Sequence, residues 1–218
     1  MDIEVKICGI TNKIDAIKSV QAGANYLGFI LYPQSPRFIT LENAIRISKC
    51  LKNTLCKSVA VDVVPKLDDI VSMQEIGFQY YQFHFPLELE KKIIRRWSNI
   101  VGPTNLWLAP KLPPGTKFPD YLIDYADTFV IDSYTDSKFG GTGKLADFKS
   151  FMKYQSLYPE KKWILAGGIG PKNVVSSVLE TNASMVDLNS AVEVSPGHKD
   201  LEKIKSVFTA LKRESCGG

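Results

Sequence analysis

Val5-Lys6-Ile7-Cys8-Gly9 is a short strand pattern that ends in a thiol and a glycine. Alternation puts Val5 and Ile7 on one face, and Lys6 and Cys8 on the other. If the strand is buried on both faces, an ammonium and a thiol share an interior surface. That is costly unless something anionic meets them there. The remainder of the chain reads as a scaffold that brings further strand ends to the same place.

Outward from that stretch, strand and helix patterns alternate along the whole length. After residues 4–8, Thr11 or Asn12 is placed to cap a helix with Asp15 in its first turn; Ile14, Ile17 and Val20 form its apolar stripe and Gly23 ends it. Residues 26–31 form a nearly continuous apolar strand, as expected of one covered on both sides. A loop at 32–38 carries Arg37. Next come a helix at 41–51, a strand at 58–63, a helix at 66–76 and a strand at 79–84 with Tyr80, Gln82 and His84 on one face. Pro86 suits the first turn of a helix at 87–97. A strand at 105–109 leads into a proline-rich connection, 110–125, with room for at most a short helix. Strands at 128–132, 163–166 and 185–188 follow, each with a helical segment behind it: 144–154, one begun by Pro171, and 200–211.

Eight strand–helix units imply parallel strands, and eight closing on themselves make a (β/α)₈ TIM barrel, here one α/β domain over residues 1–212 with a disordered tail at 213–218. The competing doubly wound sheet lacks support: no Gly-x-Gly-x-x-Gly follows the first strand, and no acidic residue is placed for a ribose. A length of 218 residues suits one sizeable core, and 44% hydrophobic with 23% charged residues gives no case for disorder. The net charge of +4 comes from scattered lysines. It suits a small anionic substrate and is too weak for nucleic acid, for which no motif appears. The cysteines, Cys8, Cys50, Cys56 and Cys216, lack Cys-x-x-Cys spacing, and two histidines complete no zinc set, so no metal is expected. Dispersed thiols, no leader pattern and no apolar run near the roughly 18 to 20 residues of a membrane span lead us to expect a cytoplasmic protein without membrane contact.

In such a barrel, function belongs to the C-terminal ends of the strands. Those ends carry Cys8, Arg37, His84, Asp132, the Gly167-Gly168 turn, and Asp187 followed by Asn189, Ser190 and Ala191. Cys8 alone reads as a small buried hydrophobe, but Lys6 on its face favours a thiolate. Asp132 alone reads as a loop-capping carboxylate; across a barrel mouth from Cys8 it becomes an acid or base partner. His84 fits a core histidine equally well. Gly167-Gly168-Ile169-Gly170 and the turn after the last strand offer backbone amides to a phosphate. Gly140-Gly141-Thr142-Gly143 lacks the ending of a P-loop and reads as a mobile loop over the barrel mouth.

Several stretches, in order, resemble the phosphoribosylanthranilate isomerase family of tryptophan biosynthesis. They are Lys6-Ile7-Cys8-Gly9-Ile10-Thr11, Gly28-Phe29 with Ser35-Pro36-Arg37, Asp132 with Gly141-Thr142-Gly143-Lys144, Ala166-Gly167-Gly168 with Pro171-Asn173-Val174, and Val186-Asp187 with Val192-Glu193 and Pro196-Gly197-Lys199-Asp200. The resemblance implies an Amadori rearrangement with Cys8 as general base, Asp132 as general acid, Arg37 on an anthranilate carboxylate, and Gly168, Ser190 and Ala191 around a phosphate. Lys6, His84, Gly167, Asp187 and Asn189 complete the expected substrate contacts. It further implies no cofactor, and a monomer or homodimer. Three departures stand out: Phe85 where the family usually has glycine, Asn189-Ser190-Ala191 where it has Ser-Ser-Gly, and a divergent strand at 105–109. The alternatives are the aminoaldose isomerase of histidine biosynthesis, where the resemblance would imply paired aspartates in place of Cys8, and a non-catalytic phosphate-binding barrel.

Overall fold

The computed structural model describes residues 3–113, 115–132 and 147–217. Eight parallel strands close in sequence order: β1 (Glu4–Cys8), β2 (Tyr26–Ile30), β3 (Lys57–Val63), β4 (Tyr80–Pro86), β5 (Leu106–Lys111), β6 (Thr128–Ile131), β7 (Lys162–Leu165) and β8 (Met185–Leu188). The expected barrel is thus present, with β1 paired to both β2 and β8. Helices α1 (Lys13–Ala22), α2 (Leu41–Ser48), α3 (Leu67–Ile76), α4 (Lys91–Val101), α5 (Phe148–Leu157), α6 (Val174–Thr181) and α7 (Leu201–Gly217) surround it. Asn12 caps α1 by accepting the Asp15 amide, and Gly23 ends it at φ 118°, a conformation that favours glycine.

Alternation sorts each strand into two faces. Val5, Ile7, Leu27, Phe29, Phe83, Phe85, Leu106 and Leu108 point outward and form the main core with the helices. Cys8, Tyr26, Val59, Val61, Trp107, Ala109, Val130, Ile164, Ala166 and Met185 fill the barrel interior. Near the strand starts, the Tyr26, Tyr80 and Trp107 rings meet with centroids 5.0 to 5.6 Å apart. Glu4, bonded to the Tyr26 hydroxyl and to Lys162, closes that end.

Two features, one after β4 and one after β8, differ from the sequence expectation. Residues after Pro86 form a turn, so α4 begins at Lys91 rather than 87; its buried residues Ile94, Trp97, Ser98 and Val101 recur at helical spacing only from there. The β5–β6 connection has one short 3-10 helix, Asp120–Asp124, as its prolines led us to expect. Beyond β8, a hairpin of β9 (Glu193–Ser195) and β10 (His198–Lys199) stands before α7, in a stretch whose polar residues read as a loop and carry no strand pattern. The closing helix α7 runs from Leu201 to Gly217. The loop at 133–146, with the glycine run 140–143, lies outside the described residues.

Candidate active site

The strand ends surround a cavity of about 570 Å³ lined, among others, by Cys8, Arg37, His84, Asp132, Gly167, Gly168, Asp187, Asn189, Ser190 and Ala191. Every expected site residue except Lys6 therefore lines one cavity. Lys6 lies beneath its floor, fully buried, and donates to Asp187 Oδ2 at 2.6 Å. The pairing follows from register: β1 and β8 are neighbours and Lys6 stands opposite Asp187. Burial works against the Lys6 ammonium, but Asp187 and Cys8 outweigh it and hold its pKa above the ordinary lysine value.

Cys8 is buried, which pushes its thiol above the ordinary range, while Lys6 pulls in the opposite direction. Gly28 makes this apposition possible. A Cβ there would lie 2.8 Å from Cys8 Sγ and 3.0 Å from Lys6 Cε, so the glycine gives the two side chains their room. His84 hydrogen-bonds Gln82 through Nε2 at 2.9 Å. Burial, with Lys6 nearby, pushes its imidazole down to about 4, so the ring is neutral at physiological pH. Gln82 Oε1 and Asp187 Oδ1 are buried acceptors in the cavity wall without a hydrogen-bond partner among the described residues. Each is a place where a ligand hydroxyl would remove a cost of about 1 to 3 kcal/mol.

Arg37 lies in the β2–α2 loop with its amide held by the Ser35 hydroxyl. Its guanidinium does not stand open. Nε lies 3.0 Å from both carboxylate oxygens of Glu193, and Nη2 lies 2.8 Å from Oε2. Lys199 Nζ donates to Glu193 Oε1 at 2.9 Å and to Asn189 Oδ1 at 3.1 Å. The Lys199 amide is held by Asp15. Burial alone would raise the Glu193 pKa; Arg37 and Lys199 outweigh it and hold the carboxylate below the ordinary range. Glu193 and Lys199 fell inside motifs visible in the sequence, yet nothing local marked them as buried partners of Arg37.

The turns after β7 and β8 touch. Gly167 and Gly168 have φ values of 90° and 67°, and Asn173 ties the first turn by accepting the Gly170 amide and donating to the Gly168 carbonyl. A Cβ on Gly170 would lie 2.6 Å from the Ala191 methyl, so the alanine fills the space left by a glycine. Phe85, the other departure near the site, points outward against Trp97 with ring centroids 5.9 Å apart and leaves the cavity untouched. Trp107 of the divergent β5 belongs to the aromatic layer at the far end of the barrel. Asp62 also lines the cavity and was not foreseen; burial pushes it up to about 6 although it accepts the Val63 amide at 2.7 Å.

Cys8 and Asp132 thus bring a thiol and a carboxyl group to one cavity that Arg37 and the glycine turns also line. Among the described residues no group of His, Cys, Asp and Glu has the arrangement of a metal site, and no helix is long and apolar enough to cross a membrane. Residues 5–210 match the family described as N-(5'phosphoribosyl)anthranilate (PRA) isomerase. An N-(5'-phosphoribosyl)anthranilate isomerase from Petrotoga mobilis is 36% identical over 211 residues, covering 96% of this chain and 97% of its own length. The crystal structure of phosphoribosyl anthranilate isomerase from Thermus thermophilus superposes with a TM-score of 0.79 at 30% identity, over 97% of this chain and 100% of the other. Another crystal structure of a phosphoribosyl anthranilate isomerase, in complex with reduced 1-(o-carboxyphenylamino)-1-deoxyribulose 5-phosphate, gives 0.77 at 27% identity over 97% and 99%. This chain belongs to the N-(5'-phosphoribosyl)anthranilate isomerase family.

Proposed function

We propose that this chain catalyses the tryptophan-pathway rearrangement for which its family is named, with Cys8 as general base and Asp132 as general acid. The substrate is N-(5-phosphoribosyl)anthranilate and the product 1-(2-carboxyphenylamino)-1-deoxyribulose 5-phosphate. The observation that carries the assignment is the meeting of Cys8, Asp132, Arg37 and both glycine-rich turns around one cavity. Its volume is within the usual range for small-ligand sites.

Asp132 gives its proton to the furanose ring oxygen, the C1′–O bond breaks, and an iminium forms at C1′ and the aryl nitrogen. That cation acidifies the C2′ proton, which the Cys8 thiolate removes to leave an enolamine. Tautomerisation gives the ketone, with the proton ending on carbon and no net redox change. Lys6 holds positive charge beneath the thiol, so it favours the thiolate without touching the substrate. Arg37 takes the aryl carboxylate, the turns at 167–170 and 189–191 take the phosphate, and the acceptors of Gln82 and Asp187 take sugar hydroxyls. Each contact comes from one chain, so either a monomer or a homodimer is competent. The same assignment makes the barrel a single working domain in the cytoplasm.

The test generates phosphoribosylanthranilate in situ and follows the loss of its fluorescence. Wild type should consume it; folded protein that leaves the background rate unchanged overturns the assignment. Cys8→Ser and Asp132→Asn should each lose about 10² to 10⁴ in kcat. Deuterium exchange at C2′ that persists undiminished in Cys8→Ser removes the thiol as base.

A further inference from the structure

We infer that Glu193 is a positioning residue that makes this site selective for a carboxylated aryl group, by holding Arg37 along one edge so that another is presented to the cavity. The inference rests on the proposed function. A guanidinium has two edges able to grip a carboxylate: the side formed by Nε and Nη2, and the end formed by Nη1 and Nη2. Glu193 occupies the side edge with three contacts of 2.8 to 3.0 Å. No hydrogen bond engages Nη1 among the described residues, and Arg37 lines the cavity. A ligand carboxylate thus meets the end edge, already oriented.

Two further observations show that the orientation is built. Arg37 is confined along its stem as well as at its head: a Cβ on Gly9 would lie 2.9 Å from Arg37 Cδ and 2.8 Å from Asn189 Oδ1, and Gly9 holds a φ of 75°. Glu193 is itself fixed. Lys199 and the Gly197 amide donate to Oε1, and the carboxylate is almost wholly buried. Stability alone explains such a network poorly, because well-packed apolar residues often replace a buried ion pair without loss. Glu193 also follows directly on the Ser190–Val192 turn, whose Ala191 packs against Gly170 of the turn after β7. Lys199 joins it to Asn189 of that turn. One buried series of charges, Arg37, Glu193, Lys199, therefore ties the arginine to the turn after β8.

The experiment compares phosphoribosylanthranilate with the phosphoribosyl adduct of aniline, which lacks the carboxylate, in wild type, Arg37→Ala, Glu193→Gln and Glu193→Asp. Wild type should favour the carboxylated substrate and Arg37→Ala should not. Glu193→Gln should raise KM for the carboxylated substrate tenfold or more, lower its kcat less than threefold, and move KM for the aniline adduct less than twofold. Glu193→Asp keeps the charge but withdraws it by one methylene, so its rise should be two- to fivefold and again confined to the carboxylated substrate. It serves as the test if Glu193→Gln does not fold. An unchanged or lowered KM in folded Glu193→Gln, an equal rise for both substrates, or no rise in Glu193→Asp overturns the inference. Wild type that turns over neither substrate overturns the functional assignment instead.

Discussion

Replacing Lys6 by methionine keeps the stem and removes the ammonium, and it should be among the most damaging single changes outside the apolar core. Lys6 is completely buried and its partner Asp187 is 8% exposed. Asp187 Oδ1 already lacks a partner and Oδ2 has Lys6 at 2.6 Å, so Lys6→Met leaves both oxygens bare. Breaking a buried pair in this way costs about 3 to 5 kcal/mol, against a total of roughly 5 to 15 for a folded domain. Lys6→Met/Asp187→Leu removes the stranded charge as well and should recover all but about 1 to 2 kcal/mol. The sign of the pH dependence gives a second check. In wild type the Lys6 pKa is raised, so its contribution is full below the unfolded value of about 10.4 and is lost only as pH rises through the folded one. In Lys6→Met the bare Asp187 is pushed upward, the folded state takes the extra proton, and the deficit should shrink between pH 7 and pH 5. Urea denaturation of the three proteins at both pH values measures this. A single variant costing under about 1 kcal/mol, or a double variant less stable than the single, would refute a charged pair beneath the site.

Gly28→Ala should cost about 1 to 3 kcal/mol by overpacking against Cys8 and Lys6, and should shift the pH profile of Cys8 alkylation; an unmoved profile would show that the apposition tolerates a methyl. His84 is pushed down to about 4, so stability should be lost as pH falls from about 6.5 toward 4, by at most roughly 3 kcal/mol and less because the ring borders an open cavity. His84→Gln should flatten that limb in acid titrations followed by circular dichroism; an acid limb as steep as that of wild type removes the imidazole as its cause. Gly170→Ala should raise KM severalfold by forcing the two turns apart, and Ala191→Gly in the same chain should restore it, because the clash is between the two methyls; independent effects in the double variant would contradict that contact.

The barrel was legible because its signals are local. The alternation in residues 4–8, the apolar run beginning at Tyr26, a cap at Thr11 or Asn12 and the Gly23 stop each depend on a few neighbouring residues, and such signals recur unit after unit. The cavity was legible for the same reason, since closure brings strand ends together wherever the strands are correctly placed. Side-chain partners were not. Lys6 and Asp187 are 181 residues apart and Arg37 and Glu193 are 156 apart, so only the closed sheet and the β9–β10 hairpin decide who meets whom. Arg37 illustrates the consequence: its residue type and loop were readable, but Glu193 already occupies the edge that a free arginine would offer. Phe85 shows the converse, a departure in sequence beside a site residue that the pleat turns to the other face.

The seam of the barrel lies between its first strand and its last. A chain leaves the ribosome with its N-terminus first, so β1 is synthesised long before β8 exists to pair with it, and the closing contacts have a large sequence separation that slows their formation. Through that interval Lys6 lacks its counter-charge and Cys8 lacks the wall that leaves it only 4% exposed in the folded protein. The proposed base is therefore at its most accessible to oxidants while the polypeptide is still being made. A reducing environment matters to the nascent chain more than to the finished enzyme, and termination before residue 185 would leave the thiol open for good.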